Sequence, residues 1–277
     1  MNAAARPIAE SQSSVAGWRV ARYARLDSTN DEARRRALAG DPGRLWVVAG
    51  EQTRGRGRRG RSWRSPSGNL YASALTLDPC EAAVAPQIGF VAGVALIEAL
   101  ADLGAAGVAL KWPNDALWKG AKLAGLMVEG VTTPARRLAY VVGIGVNCVS
   151  APEGLAYPAA DLAAALDAAV EPETVFNRLA VRFDEALAAW SRGAGFAEIR
   201  ARWLSAAAGL GERVRVASPR GVRDGRFEGL DADGCLLLAT ADGVERVAAA
   251  DVFVVSSEAR PRAAGPDADV PDESFNR

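Results

Sequence analysis

Apolar and polar positions divide the chain into short alternating runs and a few stretches with helical spacing. Residues 18–26 and 45–52 read as strands, and 70–77 alternates apolar and small residues as a half-buried strand does. Between the first two runs, Asp27-Ser28-Thr29-Asn30 offers N-cap chemistry for a helix over 32–38, which Gly40 can stop. Residues 89–103 carry a broad apolar face and predict a helix ending near Gly104. Strands follow at 107–112, 116–119, 123–129 and 139–147, with a turn at Gly120. Residues 159–208 read as mostly helical, broken at Pro172 and at Gly193-Ala194-Gly195. The texture changes at Gly211, where short strands at 213–217, 221–230, 234–240 and 244–255 are punctuated by Asp224-Gly225, Asp233-Gly234 and Asp242-Gly243. The pattern predicts an α+β protein: a mixed β-sheet domain packed with helices over 18–209, then a small β-barrel of SH3-like size over 210–257. Residues 1–17 read as a flexible arm and 258–277 as a disordered tail.

Composition narrows the function. Hydrophobic residues make up 49% of the 277, enough for a real core, and the formal net charge is zero. Neither a nucleic acid nor a membrane is implied as partner by overall charge, so anion binding must come from a local cluster. The most apolar stretch, 88–110, is interrupted by Glu98 and Asp102 and reads as a buried helix rather than a span. The N-terminal residues show no signal-peptide pattern. Cys80, Cys148 and Cys235 are too scattered for a zinc or redox motif and read as free thiols of a reducing, cytoplasmic compartment. Histidine is absent, which excludes a Ser-His-Asp triad, a histidine base and a histidine-ligated metal. Lysine occurs only as Lys111, Lys119 and Lys122, inside one short segment of a chain that otherwise uses arginine. Compact ammonium groups do what arginine's broad fork cannot, so that segment is a candidate site.

Candidate chemistry concentrates in three places. The stretch Arg54-Gly55-Arg56-Gly57-Arg58-Arg59-Gly60-Arg61-Ser62-Trp63-Arg64 joins forked cations to glycines that expose backbone N–H groups, a combination suited to a polyanionic ligand. Gly55, Gly57 and Gly60 match a dinucleotide fingerprint in form, and 55–62 is nearly a P-loop. Both need a helix next, whereas Ser65-Pro66-Ser67-Gly68 and a strand follow. An Arg/Gly-rich nucleic-acid-binding segment is a further alternative, although such segments extend through disordered chain. Lys111-Trp112-Pro113-Asn114-Asp115 ends a predicted strand, which puts Asn114 and Asp115 where site residues often lie; the plain alternative is an Asx-type turn. Lys122-Leu123-Ala124-Gly125 starts a strand and Gly143-Ile144-Gly145-Val146-Asn147 ends one, the glycines allowing close backbone approach.

Taken in order, these segments resemble the catalytic domain of the biotin–protein ligases, in a short form without the N-terminal DNA-binding domain of the regulatory members. The resemblance covers roughly 26–147, and the segment from Gly211 onward looks like that family's SH3-like domain. It implies a fold of the class II synthetase type and ATP-dependent activation of biotin to biotinyl-5′-AMP. Transfer to a lysine of a biotin carboxyl carrier protein would follow, with Mg²⁺ accompanying ATP and the enzyme a monomer or homodimer. Ser28, Thr29, Asn30, Gln52, Gly55, Arg56, Arg58, Lys122 and Gly125 would then contact biotin. Arg58, Arg59, Arg61, Trp63, Lys111, Asn114 and Asn147 would contact ATP. Lys122, Arg58 and Asp115 would be catalytic, with Asp115 also holding the metal or accepting the attacking amine's proton. Arg54 stands where a small residue is usual, a departure that bears on the loop's conformation. A lipoate–protein ligase shares the architecture, and the 55–61 segment argues for biotin instead.

Overall fold

The structure, a computed structural model, describes residues 14–152, 154, 157–218 and 221–254. β1 (Ser14–Val15) turns through Ala16 and Gly17 into β2 (Trp18–Leu26), so the chain is already paired at 14, inside the stretch expected to be a flexible arm. Residues 1–13 and the expected tail at 258–277 lie outside the described residues. α1 (Thr29–Leu38) crosses to β3 (Leu45–Gln52), which runs parallel to β2, and β4 (Leu70–Leu77) returns antiparallel. α2 (Gln87–Asp102) carries the chain to the far edge. There β5 (Val108–Lys111), β6 (Asp115–Trp118) and β7 (Ala121–Thr132) form a meander, and β8 (Leu138–Val146) inserts between β7 and β4. The strand order is β1-β2-β3-β4-β8-β7-β6-β5.

Alternation along the strands sends two sets of side chains to two cores. On one face, α2 lies under α4 (Pro172–Trp190) and α5 (Phe196–Ser205), with the short α3 (Leu162–Leu166) beside it. α2 is apolar nearly all round, as a helix covered on two sides must be. Trp18 packs on Trp46 and Phe183, and Trp46 on Phe176 and Phe183, with ring centroids 5.3 to 5.9 Å apart and most pairs edge to face. On the other face α1 lays Ala33 and Ala37 against Tyr23, Val47 and Val141. Pro172 opens α4, where its missing N–H would have had no helical partner.

A second, five-stranded antiparallel sheet follows: β9 (Arg213–Ser218), β10 (Gly221–Leu230), β11 (Leu236–Thr240), β12 (Gly243–Val247) and β13 (Asp251–Val254). Its order is β12-β11-β10-β9-β13. The single strand expected over 244–255 is two, on opposite edges. Ala248-Ala249-Ala250, weak strand formers, carry the chain from one edge to the other. This sheet shares the main core through Phe227, Leu236 and Leu238. It is also pinned by Trp112, whose Nε1 donates to the Gly234 carbonyl at 3.1 Å. Among the described residues no helix is long and apolar enough to cross a membrane.

Candidate active site

The β2–α1 junction builds one wall. Ser28, extended at φ −158°, caps α1 by accepting from the Asp31 N–H, which leaves the next residues facing inward at the helix's first turn. Thr29 reaches Gln52 Oε1 with both its backbone N (2.8 Å) and its Oγ1 (3.1 Å), while Gln52 Nε2 donates to Ser65 Oγ at 2.9 Å. Asn30 Nδ2 donates to Glu129 Oε2 at 2.7 Å, and Asn30 Oδ1 accepts from Ser73 Oγ at 2.6 Å. Thr29, Asn30 and Ser73 are buried, so each of these bonds is needed to offset desolvation.

The basic glycine segment is a folded strap. Trp63 N donates to the Gly55 carbonyl at 2.9 Å and Gly57 N to the Arg61 carbonyl at 2.7 Å. A 3₁₀ turn at Arg58–Gly60 forms the tip, with Arg59 left-handed at φ 58°. The local pairing explains why an open loop was expected: its hydrogen bonds join residues of no strand-like pattern. A Cβ at Gly55 would lie 2.5 Å from both Ser65 Oγ and the Trp63 carbonyl. Gly55 therefore serves the strap's own close approach, and it does not line the pocket in which it was expected to touch biotin.

The strap's arginines go separate ways. Arg54 pairs with Asp27 at 3.1 Å, and Arg56 pairs with Asp31 at 2.5 Å and Glu129 at 3.2 Å. Arg58 Nη1 donates to Asn114 Oδ1 at 2.9 Å. Arg59 and Arg61 both reach Asp251 of the second sheet, at 3.0 and 3.3 Å. Burial alone would lower the Arg56 pKa, but Glu129 and Asp31 outweigh it and raise it. Burial lowers that of Arg58, which has no carboxylate at contact distance among the described residues.

Asp115 sits buried between two lysines, Lys122 at 2.6 Å and Lys111 at 3.1 Å. Burial pushes its pKa up, yet the two ammonium groups prevail and hold it below the ordinary carboxylate value. A carboxylate so stabilised is a poor proton acceptor. With both oxygens facing ammonium groups it is also a poor metal ligand. The expected roles of Asp115 as base and as Mg²⁺ ligand do not fit this geometry. Asn114 ties the strap to β7: it accepts from Arg58 and donates to the Leu126 carbonyl at 2.8 Å. Asn147, expected at the nucleotide, is buried and spends its amide on the Ala160 carbonyl at 3.0 Å, fixing the chain after β8.

The strap roofs a pocket of about 690 Å³, open to solvent at its mouth. Ser28, Thr29, Asn30, Gln52, Arg56 and Arg58 line it together with Trp63, Asn114, Lys122 and Gly125. The strand glycines beneath have a second use besides the expected one. A Cβ at Gly143 would lie 2.2 Å from Asn30 Oδ1, one at Gly145 2.9 Å from the Trp63 ring, and one at Gly125 3.1 Å from that ring. They admit the side chains that shape the pocket as well as exposing backbone to it. Beside it a cleft of about 1570 Å³ runs between the two sheets, lined by Lys111, Asp115, Lys119, Asp251 and Phe253 among others. Lys122, Arg61 and Tyr157 face both spaces, and Lys122 Nζ lies 5.3 Å from the Trp63 ring centroid.

Residues 23–147 match the Biotin/lipoate A/B protein ligase family, and 209–255 match the Biotin protein ligase C terminal domain. A biotin–[acetyl-CoA-carboxylase] ligase of Paracoccus denitrificans is 42% identical over 241 residues, covering 83% of this chain and 98% of its own. The chain belongs to the biotin–protein ligases. The bifunctional ligase/repressor BirA of Bacillus subtilis is 31% identical, with 82% of this chain and 71% of that protein covered. A biotin protein ligase of Aquifex aeolicus, solved in complex with biotin and ATP, superposes with a TM-score of 0.75 at 27% identity, covering 85% of this chain and 99% of the other.

In this biotin–protein ligase, sequence reasoning missed Asp31, Ser73, Glu129, Tyr157 and Asp251. Glu129 had a usable signal, a lone acid within an otherwise apolar and small strand run. Asp251 had none, because its partners are 190 and 192 residues away.

Proposed function

We propose that the ligase joins the carboxylate of biotin to the α-phosphate of ATP, releasing pyrophosphate, and then passes the biotinyl group to one lysine of a biotin carboxyl carrier protein, releasing AMP. The observation that carries this is the meeting of two unlike spaces at one ammonium group. The roofed pocket offers neutral hydrogen-bonding side chains, Ser28, Thr29, Asn30 and Gln52, suited to a ureido ring. The cleft offers Lys111, Lys119 and Arg61, suited to a triphosphate. Lys122 stands at their junction, where the acyl carboxylate and the α-phosphate must come together.

The first step brings two anions into contact, so its barrier is largely electrostatic. Lys122 neutralises the carboxylate and then the bridging oxygen of the mixed anhydride, and Arg58 supports the phosphate side from the roof. Asp115 positions Lys122 and Lys111 and stays ionised throughout. Mg²⁺ arrives as part of the ATP substrate. Trp63 and the strap keep water from the anhydride. The carrier's amine then attacks the acyl carbonyl, the bond to phosphate breaks, and the amine's proton leaves to solvent. We assign catalysis to the domain over 18–209 and place the enzyme in the cytoplasm, where its three buried, unpaired cysteines stay reduced. Incubation with biotin, Mg-ATP and a carrier domain should add one biotinyl mass to that domain, and lipoate should add none. An unmodified carrier overturns the assignment.

A further inference from the structure

We propose that Glu129, outside the pocket, is a positioning residue that fixes which way the pocket's hydrogen bonds point and so makes Thr29 a pure acceptor for a ligand N–H. This rests on the assignment of the roofed pocket to biotin, whose ureido ring presents such N–H groups.

A carboxylate can only accept, so Glu129 decides the orientation of the Asn30 amide: Nδ2 faces Glu129 at 2.7 Å and Oδ1 faces the other way. Gly143, having no side chain, gives that amide oxygen its place against the strand, since a Cβ there would lie 2.2 Å from it. Asn30 Oδ1 can only accept as well, and the group 2.6 Å from it is the Ser73 hydroxyl, which has one proton to give. Ser73 Oγ is also placed to donate to Thr29 Oγ1, 2.8 Å away, but its single proton takes the shorter contact to Asn30 Oδ1, which cannot donate in return, so Ser73 offers only lone pairs to Thr29. Gln52 Oε1, the other neighbour of Thr29 Oγ1 at 3.1 Å, also only accepts, because Gln52 Nε2 is committed to Ser65 Oγ. Both partners therefore draw the Thr29 proton into the protein wall. What Thr29 shows the pocket is an oxygen lone pair, and a ligand there must donate.

Were Glu129 replaced by a side chain that can also donate, the Asn30 amide could turn over. Ser73 would then accept from Asn30 and give its proton to Thr29, whose own proton would be free to face the ligand and oppose an N–H. Arg56 would keep its pair with Asp31, so the strap's anchor would persist.

The test is a cycle of Glu129→Gln, Asn30→Asp and the double variant, read as biotin-dependent ATP–pyrophosphate exchange alongside circular dichroism. Glu129→Gln should raise KM for biotin about tenfold, the value of one misdirected hydrogen bond, with kcat nearly unchanged. Asn30→Asp alone sets two carboxylates face to face and should do worse. In the double variant, the carboxylate that replaces the Asn30 amide accepts from both the new glutamine and Ser73, so the original polarity and most of the biotin affinity should return. A purely structural role for Glu129 gives no reason for that rescue. Unchanged KM in Glu129→Gln, or a folded double variant no better than the singles, overturns the proposal while leaving the function standing. Wild-type protein without biotin-dependent exchange removes both.

Discussion

At the scale of single residues, Asp115 holds two lysines side by side. Lys122 holds the junction of pocket and cleft, and Lys111 still neutralises Asp115 if Lys122 is lost. Lys122→Ala should therefore fold and bind ATP yet lower the rate of adenylate formation by about 10²–10³, measured by biotin-dependent pyrophosphate exchange. Exchange at the wild-type rate would remove Lys122 from the mechanism. The same pair makes a pH prediction. The folded pKa of Asp115 lies below its ordinary value of 3.8, so its contribution to stability is full above that value and is lost as the pH falls through the lower folded one. Removing Lys122 moves the folded pKa upward, and acid unfolding of the variant should begin at a higher pH than in wild type. An unchanged acid midpoint would mean Lys111 alone suffices. Lysine scarcity made these residues legible in the sequence. The geometry argues against Asp115 as a base because an aspartate's neighbours, here two lysines from β5 and β7, decide whether it accepts a proton.

At the scale of elements, the pocket depends on strands whose glycines make way for side chains from elsewhere. Gly143 lies on β8, bonded on both sides by β4 and β7, so its backbone cannot retreat. Gly143→Ala should force Asn30 from its bonds with Glu129 and Ser73 and weaken biotin binding about tenfold or more by titration calorimetry. Gly89→Ala, on α2, meets only Val128 at 3.8 Å and should bind biotin as wild type does. Equal affinity in both variants would show that Asn30 adapts. The sequence marked Gly143 and Gly145 as unusual but not their purpose, because Asn30 and Trp63 approach from other elements. Strands β2, β3, β4 and β10 were legible to the residue, each bounded by turn formers. The 244–255 run was misread because its only local mark, three alanines at 248–250, is a weak one: alanine is a poor strand former but no turn former.

The strap ties the whole molecule together, and its failure has a chain-wide consequence. Arg58 fastens the tip to Asn114, while Arg59 and Arg61 fasten it to Asp251 on the second sheet. That join between domains was illegible in the sequence, as was Trp112 to Gly234, 122 residues apart; such pairs carry no local pattern. Arg58→Gly removes the strap's tie to Asn114 and keeps the anchors on Asp251, so the enzyme should form biotinyl-5′-AMP more slowly but release it. Free mixed anhydride acylates exposed amines, and this chain offers few. Lys111 and Lys122 are held against Asp115, whereas Lys119 is exposed, pairs with no carboxylate among the described residues, and rests its Nζ 4.2 Å from the Trp118 ring centroid. With biotin and Mg-ATP, Arg58→Gly should therefore label itself at Lys119, the chain's α-amine being the remaining competitor, and adding Lys119→Arg should abolish that peptide's mass increment. Labelling mainly at Lys122 would instead mean that the ion pair with Asp115 opens once the adenylate is bound, leaving an amine beside the acyl carbonyl.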